Sequence, residues 1–488
     1  MNRSIFQVKH VAPFVYILGT TCLIYLFFWQ WVYDDPFITF RYARNLAHGF
    51  GFVYNAWEKV QSTTTPLLTI ILSGISYLRF DLPRAANFLG SLSLALGGWF
   101  LWDLAQSWKT PQVGWAALFL YPTFPLLFTT LGSEMPLFLA LCLAALAFNA
   151  RGKVLVSAGL LGLSVLTRPD GMLLAVLLGI YSFYKNRSIS QLIKPGIVFL
   201  AVVLPWFMFA WLYFGSPIPA TLAAKQAQGA MSISTPFAPR YFVILKSYAK
   251  EPVYWLEAAL AVIGIVVAFS QHYRWGLVLI WGGCQFFVYT LLGVSGYYWY
   301  YAPLVPPFIS AVSLGIAHTD RVVATTLHRI TQKTRYQTRV NNHAGMIVLV
   351  AIAFLGQLNT LRAMRGYIDQ RYEIYKAVGE WLHDNTEKNS KIGMLEVGMI
   401  GYFADRAIID FAGLIQPEVA RQLKPDSTYE DSAIWAVNRY HPDLIILHKG
   451  LFSRLESQLN EMNCQFIQNF NGENYHYKGA LDIYSCAY

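Results

Sequence analysis

The sequence predicts a polytopic α-helical membrane protein that ends in a small α/β domain outside the bilayer. Three observations predict it. Charged residues fill only 13% of the 488 positions, against roughly 25% in an ordinary soluble domain. Apolar runs near the ~20 residues that a bilayer crossing needs recur from about residue 12 to about residue 361. Beyond that point amphipathic helix alternates with short apolar runs, as in a soluble fold. The formal charge of +10 is not a nucleic-acid signal. The basic residues lie mostly in short loops between apolar runs, where membrane orientation explains them.

Candidate spans are about 12–31, 85–102, 112–130, 135–150, 154–167, 172–184, 196–214, 253–270, 275–294, 300–318 and 344–361. The first follows Arg3 and Lys9 and lacks a small-residue cleavage site, so it reads as a retained signal anchor. The runs 154–167 and 172–184 are short and are interrupted at Pro169 and Gly171. Whether PLLTIILSGISYL (66–78) also crosses decides the orientation of everything on one side of it. The basic loops at 151–153, 185–194, 272–274 and 319–343, the last with Arg321, Arg329, Lys333, Arg335 and Arg339, should be cytoplasmic, as should Arg3 and Lys9. Both demands hold only if 66–78 lies along the outer surface as a juxtamembrane helix. The expectation is therefore about eleven transmembrane helices plus that outer helix, with the N-terminus inside and the C-terminus outside.

This parity puts the polar clusters that charge bias does not explain on one outer face. They are Asp34–Lys59, Gly132–Glu134, Arg168–Gly171, 215–251, Gly296–Tyr297 and everything after 361. The expected division is a transmembrane module, 1–361, with a first outer loop at 32–84, and an extracytoplasmic α/β domain, 362–488. In that domain 371–385 reads as amphipathic helix. Residues 391–397, 406–411 and 442–449 read as buried strands, with helices near 429–439 and 453–462. Of five cysteines, Cys22, Cys142 and Cys284 lie in apolar spans as small hydrophobes. Cys464 and Cys486 lie in the outer domain, where pairing is open to them. No metal-ligand spacing appears, and the histidines form no ligand pattern.

The pair Asp34-Asp35 follows the first span directly. Carboxylates at a bilayer edge are expensive and mark a functional site by default. Pro36 suits a first helical turn and Asp35 the cap before it, giving a helix of about 36–47 stopped by Gly49 and Gly51. Asp34 is then expected to be the freer carboxylate, a proton acceptor with a raised pKa. Arg41 and Arg44 lie on that helix, to balance the carboxylates, to bind an anion or to snorkel to lipid phosphates. Glu134 caps the helix begun by Met135-Pro136 or faces the Asp34 cavity. Arg168 and Asp170 form a turn ion pair or a functional pair that runs against the charge bias. Lys225 follows Pro217 and Pro219 and is suited to a lipid phosphate. Tyr297 opens an aromatic cluster, either an interfacial belt or a sugar-stacking surface.

YDDPFITFRYARNLAHGFGFVYNAWEKVQSTTTPLLT (33–69) resembles the first outer loop of GT-C glycosyltransferases, closest to the bacterial arabinofuranosyltransferase branch. Aminoarabinose and protein mannosyl transferases are more distantly similar. LGSEMPLF, LTRPDGMLL, SPIPATLAAK and VGMIGYFADRAIIDFAGL resemble later motifs of that branch, in order, over most of the chain. Ala220, and the stretch Gln61-Ser62-Thr63-Thr64-Thr65, depart from the branch's pattern. The resemblance implies a GT-C fold in a bacterial inner membrane, with the site and the C-terminal domain facing the periplasm or exterior. It implies a polyprenyl-phosphate sugar donor and a glycan, lipid or protein acceptor, and that the aspartate pair supplies the base. Lys225, Arg41 and Arg168 are then expected at the donor phosphate, with Glu134, Asp170, Arg44 and Tyr297 positioning substrate. No cofactor is implied, and assistance by a divalent cation stays open. Asp34 would take the acceptor's proton in an inverting single displacement. The alternatives are a lipid-sugar flippase or transporter using the carboxylates as coupling groups, and a non-catalytic assembly partner on the same scaffold.

Overall fold

The computed structural model describes residues 2–56, 58–333, 343–365 and 369–488. Arg335 and Arg339, and the side chains of Arg3, Lys9 and Lys333, lie outside the described residues. Among the described residues six helices are long and apolar enough to cross a bilayer: Leu82–Ser107, Ser190–Phe214, Pro252–Ser270, Tyr273–Leu292, Tyr298–Arg329 and Ala344–Arg365. Shorter apolar helices accompany them at Ala12–Phe28, Met135–Ala150 and Val154–Thr167. The expected span at 112–130 is instead a helix, Pro111–Leu120, a break, and a single turn, Pro125–Phe128. Pro122 and Pro125 remove two helical N–H donors there, a break that hydropathy does not register.

The helix Pro66–Tyr77 has 12 residues. At 1.5 Å per residue it spans about 18 Å, short of a hydrocarbon core of ~30 Å. It buries Leu68, Thr69 and Leu72 and packs against the helix Pro36–Ala47. Pro36–Ala47 runs as expected and ends at His48, before Gly49 (φ +82°) and Gly51 (φ +93°). These two helices share one hydrophobic core with the C-terminal domain, in which Phe37, Phe40 and Leu72 meet Ile374, Val378, Met394 and Ile400. The first loop and the distant C-terminal fold therefore make one packed body.

The C-terminal sheet has the order β2-β1-β3-β5-β4. Strands β1 (Lys391–Met394), β2 (Ala407–Asp410) and β3 (Leu444–His448) pair in parallel, close to the expected runs. The hairpin β4 (Cys464–Asn471) and β5 (Ala480–Cys486) adds antiparallel strands that the sequence reading missed. β4 is mostly exposed and rich in Gln and Asn, so no apolar run announces it. A disulfide joins Cys464 to Cys486 across the register where they pair.

The two ends of the bundle differ. Lys109, His272, His318 and Arg321 gather at one end, and Arg151 pairs with Asp103 beside the 151–153 turn. At the other end Asp35, Gln61–Thr65, Glu134, Arg168, Lys225 and Leu414 surround one cavity.

Candidate active site

The loop carrying the aspartates leaves the first helix after Phe28. Asn87 of the Leu82–Ser107 helix pins it by donating to the Trp29 and Trp31 carbonyls at 3.1 and 2.7 Å. Tyr33 stacks on Trp299 (5.9 Å), and Trp299 stacks on Tyr297 (4.6 Å). This aromatic stack stands between two cavities. The first, of about 410 Å³, runs among apolar groups such as Leu173, Trp206, Phe207 and Leu292. The second, of about 920 Å³, lies under the C-terminal domain and is lined by Asp34, Tyr297, Arg240, Arg371 and Glu396. Asp35 lines both.

The surroundings of the two aspartates differ from the expectation. Asp34 is not the free one. Its Oδ1 accepts from the Met399 N–H at 2.8 Å and its Oδ2 from the Gly398 N–H at 3.2 Å. Burial pushes its pKa up to about 7, against the Met399 N–H and Arg371, which pull it down, and with Asp35 and Glu396, which push it further up. Asp35 stands at the cap position, but with helical φ −53° and ψ −43°, and its side chain caps nothing. A side-chain cap requires an extended backbone there. The Asp35 carboxylate is instead 37% exposed, with Oδ2 3.8 Å from Lys225 Nζ.

Lys225 lies on the helix Ala220–Ala230, whose entry is fixed by Ala220 N–H donating to the Gln61 carbonyl (2.9 Å). Its ammonium sits 3.9 Å from the Tyr297 ring centre, a cation–π distance. Burial works against its charge, but Tyr297 and Asp35 outweigh that and raise its pKa.

Arg168 is clamped. It reaches Glu134 (2.5 Å), Asp170 (3.0 Å) and the Tyr289 hydroxyl (2.7 Å). Asp170 also accepts from Gln285 and Tyr289. Glu134 makes no cap bond and faces Arg168. The structure thus brings Glu134, Arg168 and Asp170 to the first cavity as a buried cluster in which two carboxylates share one guanidinium.

Arg41 and Arg44 do not reach either cavity, which corrects the expectation that they meet the donor phosphate or substrate. Arg41 donates to the Gly401 carbonyl (2.7 Å) and to that of Arg406, with its guanidinium over Tyr54. Arg44 pairs with Asp405 (2.8 Å) over Tyr402. Both fasten the Pro36–Ala47 helix to the C-terminal domain, through partners more than 350 residues away. The reading also missed Arg371, paired with Asp369 (2.7 Å), and Glu396, which bonds His448 Nε2 at 2.8 Å. Neither has a local sequence signal, since the fold alone carries them to the second cavity. No group of three or more His, Cys, Asp or Glu with metal-site geometry occurs among the described residues.

A family model described as a domain of unknown function, DUF8728, matches residues 362–484. A curated relative, the terminal β-(1→2)-arabinofuranosyltransferase of Mycobacterium tuberculosis (strain ATCC 25618 / H37Rv), is 28% identical over 253 residues. The match covers 43% of this chain and 38% of the relative, so the chain spans well under half of that protein's length. Among solved structures, ArnT from Cupriavidus metallidurans bound to undecaprenyl phosphate superposes with a TM-score of 0.61 at 12% identity, covering 96% of this chain and 97% of ArnT. The oligosaccharyltransferase AglB from Archaeoglobus fulgidus, in complex with an inhibitory peptide and a dolichol-phosphate, gives 0.59 at 13% identity, covering 88% and 69%. The chain shares the fold of these solved structures, and its described residues include helices long and apolar enough to cross a membrane.

Proposed function

We propose that this protein is a glycosyltransferase that moves a sugar from a polyprenyl-phosphate carrier to an acceptor hydroxyl. The single observation that carries the reading is the position of Asp35. It lines both cavities and lies beside Lys225. The first cavity, with Leu173, Trp206, Phe207 and Leu292 beside Lys225, suits a lipid-linked donor, and the second, with Arg240, Arg371 and Glu396, an acceptor. That ArnT was solved with undecaprenyl phosphate and AglB with a dolichol-phosphate supports the donor class.

The chemistry follows from charge. The acceptor oxygen attacks the anomeric carbon while Asp35 takes its proton. The bond from that carbon to the phosphate oxygen breaks, and polyprenyl phosphate departs with its charge held by Lys225. One displacement inverts the anomeric centre. Arg168 is already neutralised by Glu134 and Asp170, so its role is to hold the first cavity's wall. The donor phosphate takes over Lys225 from Asp35 at a separation, 3.8 Å, that is loose for an ion pair. Asp35 is then released to face the acceptor. The end bearing the site is the exterior end, because the basic loops cluster at the other. The acceptor is a cell-envelope glycan or lipid. A flippase would carry its polar site near the bilayer midplane, whereas these groups gather at one end.

The test is transfer of label from a radiolabelled polyprenyl-phosphate sugar by purified protein. The proposal expects transfer to an acceptor and at least a ~100-fold loss in Asp35→Asn, within the range for a removed general base. Carrier movement across vesicles without transfer would overturn it.

A further inference from the structure

Glu396 lines the second cavity, and the transfer chemistry above makes no use of it. It follows β1, and its partner, His448, ends β3. The two are separated by the same 52 residues as Ile392 and Leu444, which pair in the parallel ladder. The strand register, carried past the end of β1, therefore sets the two side chains side by side.

His448 fixes how the carboxylate is presented. Its Nε2 lies 2.8 Å from Glu396 Oε2. A carboxylate only accepts, so this nitrogen carries the proton. Nδ1 is then the acceptor, and the Tyr477 hydroxyl stands 3.4 Å from it. The Tyr375 hydroxyl flanks the ring, 3.3 Å from Nε2. One carboxylate oxygen is thus held before any ligand arrives, which lowers the cost of ordering it on binding. The other, Oε1, has no partner among the described residues and is not shut off from solvent; the side chain as a whole is 22% exposed.

Charge narrows what meets that oxygen. Its ligand must bring a donor, either a hydroxyl or an ammonium. Asp34, Asp35, Asp369 and Glu396 line this cavity with Arg240 and Arg371, and Asp369 holds Arg371 through two bonds of 2.9 and 2.7 Å. An anionic group placed beside Glu396 would meet like charge. An ammonium would find the best aromatic seat taken, since Lys225 already lies on the Tyr297 ring. A neutral hydroxyl fits both conditions.

We propose that Glu396, oriented by His448, accepts a hydrogen bond from a hydroxyl of a neutral sugar acceptor and thereby places that acceptor for attack. The bonded hydroxyl is a neighbour of the one that reacts, whose proton goes to Asp35. The proposal rests on the acceptor reading of the second cavity and names the substrate class, a glycan without charge at its reacting end. His448 is a positioning residue that acts through Glu396.

The test measures binding to the full purified chain of four soluble probes: arabinofuranose, glucose, glucuronate and glucosamine oligosaccharides. Undecaprenyl phosphate is the control. The wild type is expected to bind at least one of the two neutral oligosaccharides, and more tightly than either charged one. Glu396→Gln should weaken that binding about 5–10-fold and His448→Ala about 3–5-fold. His448→Gln, which keeps an N–H donor for Glu396, should recover most of the loss. All three variants should bind undecaprenyl phosphate within twofold of the wild type. In the transfer assay Glu396→Gln should raise the acceptor KM by a similar factor and leave the donor KM unchanged. Absence of binding by both neutral oligosaccharides, tighter binding of a charged one, full binding by Glu396→Gln, or an equal loss of undecaprenyl phosphate contradicts the proposal. A His448→Gln variant as weak as His448→Ala contradicts the orienting role. Sugar binding that meets every expectation, with no transfer from any polyprenyl-phosphate sugar, would overturn the transferase reading and leave this sugar site standing.

Discussion

At the residue scale, the consequential feature is the division of labour between two adjacent carboxylates. Asp34 is spent on the Gly398 and Met399 amides, and Asp35 stays free beside Lys225. Burial, in a site that includes the Gly398 and Met399 amides of the C-terminal domain, raises Asp34 from an ordinary carboxylate pKa of 3.8 to about 7. The docked state therefore holds more protons between those values, and docking weakens as pH rises through that window. Amide exchange over 395–404, corrected for its intrinsic rate, should be more protected at pH 5 than at pH 8, and Asp34→Asn should remove the difference. Lys225→Met should lower transfer by ~10²–10³-fold, the order seen when a single stabilising donor is removed from a developing charge. Lys225→Arg should recover part of it. The sequence located the pair, because two acids at a span's end are conspicuous. It did not separate their roles, since the partners of Asp34 lie 364 and 365 residues away and no local rule reaches them. Arg41 and Arg44 were misread for the same reason.

At the element scale, the segment from β1 into the short helix Met399–Ala404 couples the C-terminal fold to the site. Tyr54 donates to the Val397 carbonyl, His448 holds Glu396, and Asp34 takes the next two amides. Gly398 is required there by contact. A Cβ would stand 2.1 Å from the Asp34 carbonyl oxygen and 2.6 Å from its carboxyl carbon. Gly398→Ala should cost about 1–3 kcal/mol through this overlap. It should appear as faster proteolysis and exchange across 395–404, with transfer lost in proportion. The cluster Glu134–Arg168–Asp170 is the comparable device between spans. Arg168→Met leaves two carboxylates unpaired where they are shielded from water, and should lower stability by about 3–5 kcal/mol, measured as a drop in Tm. Helices with strong apolar or amphipathic period were legible within a few residues, including Pro66–Tyr77 and Arg371–Asn385. The break at Tyr121–Phe124 and the exposed β4 were not, because neither alters the apolar pattern by which those helices were read.

At the scale of the whole molecule, one end of the bundle carries cations and the other carries the cavities and the C-terminal sheet. The positive-inside bias turns this asymmetry into an orientation. With Cys22, Cys142 and Cys284 replaced by serine, Lys59→Cys should react with an impermeant thiol reagent added to intact cells. Arg187→Cys should react only after permeabilisation. The reverse pattern would put the site on the wrong face for a carrier presented outside. Parity reasoning made this axis legible because loop charge is a bulk property. The meeting of 32–65 with 395–415 was not legible, since it is set by a core shared between distant segments.

The central claim is that Asp35, poised between the two cavities, is the group that takes the acceptor's proton. The most direct measurement compares Asp35→Asn with Asp34→Asn in one transfer assay, with both proteins shown to be folded by Tm. The account predicts that Asp35→Asn falls at least ~100-fold while Asp34→Asn keeps a measurable fraction and loses the pH dependence of its amide protection. Full transfer by Asp35→Asn, or its loss in Asp34→Asn alone, would contradict it.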